Sequence, residues 1–217
     1  MDTSWYRSVN DFARDTPWLH GFLAAYALWG GLVVLAVILV ASWWLGRGRR
    51  DAPTAVATTV LTGVACIVAL LLNQQLISPA IARPRPCLAL HHVEVLLTCN
   101  RDYSMPSDHC VIAGAFVAGL WLLNRRTGMW AAALALLLAF GRVYVGVHYP
   151  SDAIVGLLVG AAVALVIVLA LRQPVARLCI RLADTPLRPL VLARGRETAG
   201  AAAHGSGQRP GRHSDQS

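Results

Sequence analysis

Long apolar runs separated by short arginine-bearing links dominate the chain. Five stretches, 21–45, 54–72, 109–123, 128–144 and 153–171, are long enough, or nearly so, to cross a hydrocarbon core that takes about 20 helical residues. The second continues toward residue 82, and the third and fourth are short, as helices that begin inside a buried polar site would be. The pattern predicts an all-α integral membrane protein, a bundle of five or six transmembrane helices. The first stretch exceeds a signal-peptide core, follows a slightly acidic start and lacks a small-residue cleavage site, so it is expected to remain as an anchor.

The flanks have their own periods. In residues 1–20, Trp5, Tyr6, Val9, Phe12, Ala13 and Trp18 recur at helical spacing among polar residues, which reads as an amphipathic helix lying in the interface; the alternative is a disordered leader. Residues 21–172 are expected to form a single transmembrane unit. The stretch 173–217 reads as a basic cytoplasmic tail, in which Val175, Leu178, Ile180 and Leu182 alternate with Arg177 and Arg181 as a surface-lying helix, with disorder from about residue 197.

Composition sharpens this picture. Of 217 residues, 56% are hydrophobic and 14% charged, too apolar for an ordinary soluble domain. The net charge of +8 comes from 19 basic residues that are all Arg. Thirteen of them lie in the first and third links and beyond residue 171, the positive-inside pattern, so this excess orients the chain and does not point to nucleic acid. The C-terminus is then cytoplasmic, and the loops 83–107 and 145–152 face outward.

Those two loops and the helix ends beside them hold three unusual polar segments, Ile81-Ala-Arg-Pro-Arg-Pro86, Ser104-Met-Pro-Ser-Asp-His109 and Gly141-Arg-Val-Tyr-Val-Gly-Val-His-Tyr-Pro-Ser-Asp152. Ionisable residues near a membrane are costly and mark functional sites. Arg83, Arg85 and Arg142 offer planar forks for phosphate oxygens, and Pro106-Ser107 precedes a helix whose N-terminal amides favour an anion. His148 and Asp152 stand four apart, so the carboxylate can hold the imidazole in one tautomer and leave a nitrogen free to attack phosphorus. His109, from another helix end, could protonate the departing oxygen. The chemistry expected is acid-assisted phosphoryl transfer to histidine, followed by hydrolysis.

These segments resemble the three signatures of the type-2 phosphatidic acid phosphatase superfamily, a Lys-to-Arg-Pro segment, Pro-Ser-x-His, and Ser-Arg-x5-His-x3-Asp, over about residues 73–152. A looser similarity, in span number, the amphipathic N-terminal helix and the Pro-Ser-Asp-His form, extends to the bacitracin-resistance type of undecaprenyl-diphosphate phosphatase. The resemblance implies His148 as nucleophile, Asp152 as its orienting partner, His109 as general acid, and Arg85, Ser107 and Arg142 as phosphate binders, with neither metal nor cofactor. Three positions depart from the pattern: Ser78 stands where the Lys belongs, with Arg83 partly replacing its charge; Gly141 replaces Ser; and Asp108 replaces Gly beside the phosphate site.

The function implied is hydrolysis of polyprenyl (undecaprenyl or decaprenyl) diphosphate to the monophosphate carrier of cell-wall synthesis, at the outer face of a bacterial cytoplasmic membrane. A phosphatase for phosphatidic acid or phosphatidylglycerophosphate is the alternative enzyme, and a non-catalytic lipid-phosphate binder or transporter the alternative class. His91, His92 and Glu94 are read as interfacial or substrate-contacting rather than as a metal site, and no Cys spacing suits zinc. Cys87 and Cys99 share the outward loop, where an oxidising compartment permits a disulfide; they either pair and stiffen that loop or remain free thiols. Asn73, Gln74 and Gln75 are expected to bond within the bundle or line the pocket, and Gly156 and Gly160 to allow close helix packing.

Overall fold

Lipid offers backbone N–H and C=O groups no partners, so apolar runs that enter it satisfy those groups within helices. In the computed structural model, which describes residues 1–193, every regular element among the described residues is helical. The elements are α1 (Asp2–Asp15), α2 (Pro17–Gly46), α3 (Ala52–Leu72, prolonged by turns at Asn73–Ile77 and Ser78–Ile81), α4 (Pro86–Ala89), α5 (Asp108–Leu123), α6 (Arg125–Tyr144), α7 (Pro150–Leu182) and α8 (Arg188–Val191). Four stretches, Pro17–Gly46, Ala52–Ala89, Arg125–Tyr144 and Pro150–Leu182, are long and apolar enough to cross a membrane. The 16-residue α5 is shorter, about 24 Å at 1.5 Å per residue. It packs against α3, α6 and α7 at the centre of the bundle.

Small residues let α5 sit that deep. A Cβ on Gly114 would lie 2.1 Å from the Leu157 carbonyl oxygen, and one on Gly160 would lie 1.8 Å from that of Val111. Gly156 meets the Ser107 carbonyl in the same way, so both glycines singled out in α7 serve close packing and bring the first turn of α5 against the start of α7. Around them Ala65, Ala113, Ala115, Leu120, Ala135, Leu138 and Ala164 form the buried core, while Val37, Ile67, Leu136, Leu158 and Val166 point outward.

Both flanking segments are helical, and the C-terminal one differs from expectation. No separate surface helix follows residue 171: α7 runs unbroken through Pro174 to Leu182, because Ala176 and Cys179 continue its buried face, with Cys179 packed beside Val56 and Val191. The N-terminal segment is a helix, α1, yet Tyr6, Asn10 and Ala13 are buried against the protein. Tyr6 donates to the Gly146 carbonyl at 3.1 Å, and Asn10 makes a two-way pair with the Glu94 backbone. Trp5 and Trp18 stay exposed. The disorder expected from about residue 197 lies outside the described residues.

The loop between α4 and α5 is tied to its own start by a Cys87–Cys99 disulfide, one of the two states expected of these cysteines.

Candidate active site

Three chain reversals bring the polar segments together. Helix α3 ends at Ala82, whose left-handed φ of 52° turns the chain into the extended Arg83-Pro-Arg-Pro stretch. Ser107 stands in extended backbone ahead of α5, with its N–H on the Asp152 carbonyl at 3.1 Å. Between α6 and α7, Gly146 adopts a φ of 85° where a Cβ would strike the Glu94 carbonyl at 2.3 Å, so the turn that delivers His148 requires glycine.

His148 is 2% exposed. Its Nδ1 lies 2.8 Å from the Ser104 carbonyl, an acceptor, so Nδ1 carries the proton and Nε2 holds the lone pair. Nε2 receives Nη1 of Arg85 at 3.2 Å. Burial drives the imidazole down to about 4, against an opposing contribution from Asp152, so it is neutral near pH 7.

Asp152 does not bond the imidazole directly, contrary to the expectation from their spacing: Oδ2 is 3.8 Å from Nδ1. That oxygen instead accepts the Tyr149 N–H at 2.8 Å, as a residue in the first turn of α7 readily does, together with a short bond from the Ser104 hydroxyl. Ser104 therefore links the two, its hydroxyl on the carboxylate and its carbonyl on the imidazole. The other carboxylate oxygen takes Arg83 Nη1 at 2.8 Å. Arg83, grouped in the sequence with the phosphate forks, is committed to this side: it also bonds Ser151 at 2.7 Å and Asp2 at 2.6 Å, and stacks 3.9 Å from the Tyr149 ring centre. The carboxylates of buried Asp152 and of Asp2 in the first turn of α1 attract it there. Burial raises the Asp2 carboxyl, but bonds from Ser151 and Arg83 outweigh that and hold it below its usual value.

The surroundings of Ser107 and Arg142 are built differently. Ser107 is fully buried beside the Cys110 thiol, and its Oγ has no hydrogen-bond partner. Arg142, 6% exposed, spends Nη1 on the Ala27 carbonyl at 3.3 Å and leaves Nε unpartnered. Both Arg142 and Arg85 lie close enough to act electrostatically on His148. His109 Nε2 rests on the Leu28 carbonyl at 2.9 Å. The carbonyls that hold Arg142 and His109 belong to one wide π-helical turn of α2, Tyr26–Gly30, an irregularity common at functional sites.

A cavity of about 500 Å³ opens beside Arg85, lined also by Gln74, Ser78, Arg101, Asp102, Tyr103 and Asp108. Asp108, expected beside phosphate, turns both oxygens to the α3 extension, accepting from Asn73 at 2.7 Å and Gln74 at 2.8 Å. Asn73 and Gln74 thus bond within the bundle, as their position suggested. His91, His92 and Glu94 lie outside this cluster, in a loop whose backbone is held by Arg14 and Asn10. Among the described residues no three His, Cys, Asp or Glu side chains are placed to hold a metal ion.

Ser104, Asp102 and Asp2 carry no role that a reading of the sequence assigns. Ser104 lies within a recognised segment; the others have no local signal, since Asp2 is 149 positions from its partner Ser151.

Comparison with known proteins places this arrangement. The model of the PAP2 superfamily matches residues 53–175, more than half of the chain and all of the cluster around His148 except the α1 and α2 contacts. Undecaprenyl-diphosphatase BcrC of Bacillus subtilis is 33% identical over 138 residues, 64% of this chain and 66% of that protein. The crystal structure of Aquifex aeolicus LpxE superposes with a TM-score of 0.54 at 25% identity, covering 78% of this chain and 94% of that one. A transmembrane PAP2-type phosphatidylglycerolphosphate phosphatase of Bacillus subtilis shares the fold, with a TM-score of 0.55 at 20% identity, covering 79% and 86%.

Proposed function

The chain belongs to the PAP2 (type-2 phosphatidic acid phosphatase) superfamily, and from that premise we propose that it removes the terminal phosphate of a polyprenyl diphosphate through a phosphohistidine. One observation carries the reading: beside a neutral buried histidine stand two buried donors with no partner, Ser107 Oγ and Arg142 Nε. Leaving a buried donor unmet costs about 1–3 kcal/mol, a cost a bound phosphate would remove.

In this mechanism Ser107, Arg142, Arg85 and the first amides of α5 hold the terminal phosphate. His148 Nε2 attacks phosphorus in line, the bond to the leaving oxygen breaks, and His109 gives that oxygen its proton. Water, losing a proton to His109, then cleaves the P–N bond and releases inorganic phosphate. Asp152, acting through Ser104, keeps the Nδ1 proton directed at the Ser104 carbonyl and so keeps Nε2 nucleophilic. Arg83 belongs with Asp152 in this scheme and Asp108 with Asn73 and Gln74.

The polyprenyl substrate is supported by the BcrC relative and by the apolar outer surface, along which an isoprenoid chain can stay in lipid. Five membrane crossings follow if α5 spans with the rest. The arginine bias then puts the site on the outer face of a bacterial cytoplasmic membrane, the C-terminus inside and α1 at the interface. The test is phosphate release by purified protein in detergent with EDTA from polyprenyl diphosphate, phosphatidic acid and phosphatidylglycerophosphate. Polyprenyl diphosphate is expected to turn over fastest; a preference for either glycerolipid would replace the substrate assignment, and no release from any would replace the reaction.

A further inference from the structure

Arg85 already holds an anion. Its Nε and Nη2 clamp the two oxygens of Asp102 at 2.8 and 3.0 Å, the fork-on-fork geometry by which a guanidinium grips two oxygens of a phosphate. Its remaining nitrogen, Nη1, sits between the Val147 carbonyl and His148 Nε2, both at 3.2 Å. The receptor is therefore fully engaged, and the nucleophilic lone pair is capped. The two ends of the pair differ in freedom: the Arg85 side chain is 8% exposed and that of Asp102 55%, so the carboxylate is the partner that can swing away. It cannot go far, because Cys87 and Cys99, which flank Arg85 and Asp102 closely in sequence, are bonded. Such a tether keeps the carboxylate at high effective concentration over the guanidinium.

We propose that Asp102 is an internal competitor for the phosphate site, a tethered carboxylate that substrate displaces from Arg85 and that returns to help expel inorganic phosphate. This inference rests on the phosphatase reading above. A phosphate dianion that takes the Arg85 fork also draws Nη1 off His148 Nε2, so the nucleophile is uncovered when its target is seated. After hydrolysis the small, doubly charged product is gripped by the same donors with no lipid chain to pull it away. Re-formation of the Asp102 pair opposes that grip. A competitor of this kind has a definite signature: it weakens every anion at the site by one common factor, whatever the anion's charge or shape.

The test is binding of two soluble probes, inorganic phosphate and dimethyl phosphate, to the purified protein in maltoside detergent by titration calorimetry, which needs no turnover. In Asp102→Asn both probes are expected to bind tighter by one shared factor of roughly three to ten, the worth of a half-exposed ion pair. The KM for lipid diphosphate should fall by that same factor. Asp102→Glu, which keeps a carboxylate, should stay near wild type. Weaker phosphate binding in Asp102→Asn would show that Asp102 merely holds Arg85 in place, and unchanged binding that the pair is idle; either overturns the inference. Failure of the phosphatase reading is separately visible, as absence of phosphate release by the wild-type protein.

Discussion

Two halves of one site, a few ångströms apart, are finished to different degrees. Around His148 and Asp152 no buried side-chain polar atom lacks a partner: Asp152 takes Tyr149, Ser104 and Arg83, His148 takes Ser104 and Arg85, and Arg83 passes the chain of charge to Asp2. In the other half, Ser107 Oγ and Arg142 Nε have no partner. A satisfied buried network stabilises and fixes geometry, whereas an unsatisfied one is a standing cost. The contrast separates a network that holds one imidazole still from a pair of donors which, in the proposed mechanism, a phosphate would satisfy.

The largest effect should come from the centre of the paired half. His148→Ala is expected to lower kcat by at least about 10³-fold, because without the attacking nitrogen only binding and electrostatics remain. Activity of that variant equal to wild type in the phosphate-release assay would dissolve the distinction between the halves.

Two buried serines sharpen it. Ser104 and Ser107 are both fully buried, but one is bonded and the other is not. Ser107→Ala should lose about 10- to 100-fold in kcat/KM, as for a lost oxyanion donor, yet raise the thermal midpoint by about 2–4 °C by removing an orphaned hydroxyl. Ser104→Ala should cost about 1–3 kcal/mol of stability, since it strips a donor from buried Asp152, and lower kcat by about tenfold. Thermal unfolding of the pair in detergent checks the opposite signs.

The pH dependence of stability reports the same burial. The folded His148 titrates at about 4 and the unfolded one at 6.5, so as pH falls from about 6.5 to about 4 the unfolded chain takes up a proton that the folded protein refuses. Stability is therefore lost across that window, and His148→Ala should flatten the corresponding part of a plot of thermal midpoint against pH.

The smallest effect should come from the far end of the network. Asp2→Asn weakens the Arg83 clamp without touching the imidazole, and is expected to cost about 1 kcal/mol and two- to fivefold in kcat. An assay of this variant with and without Arg83→Lys measures the coupling.

How far the sequence spoke for itself follows the same division. The apolar runs located the five central helices to within a few residues at most ends, and the spacing of His148 and Asp152 brought them to one helix start, because those features are local. What lay beyond reach was competition for partners. Spacing could not show that Asp152 would spend an oxygen on the N–H of Tyr149 in its own helix, leaving Ser104 to bridge to the imidazole. Nor could composition show that Arg83 would be drawn to Asp2 and Asp152 while Arg85 paired with Asp102 and His148. Those choices depend on contacts between segments far apart in the chain, as does the continuation of α7 through Pro174, which the buried face of Ala176 and Cys179 supports.

The most direct test of the central claim, that His148 Nε2 takes the phosphoryl group, is rapid quenching of wild-type and His148→Ala protein with lipid diphosphate labelled in its terminal phosphate. The wild type should carry label that is stable in alkali, labile in acid and mapped to His148, and the variant should carry none. Turnover of the wild type with no trapped label on His148, or equal labelling of the variant, would contradict it.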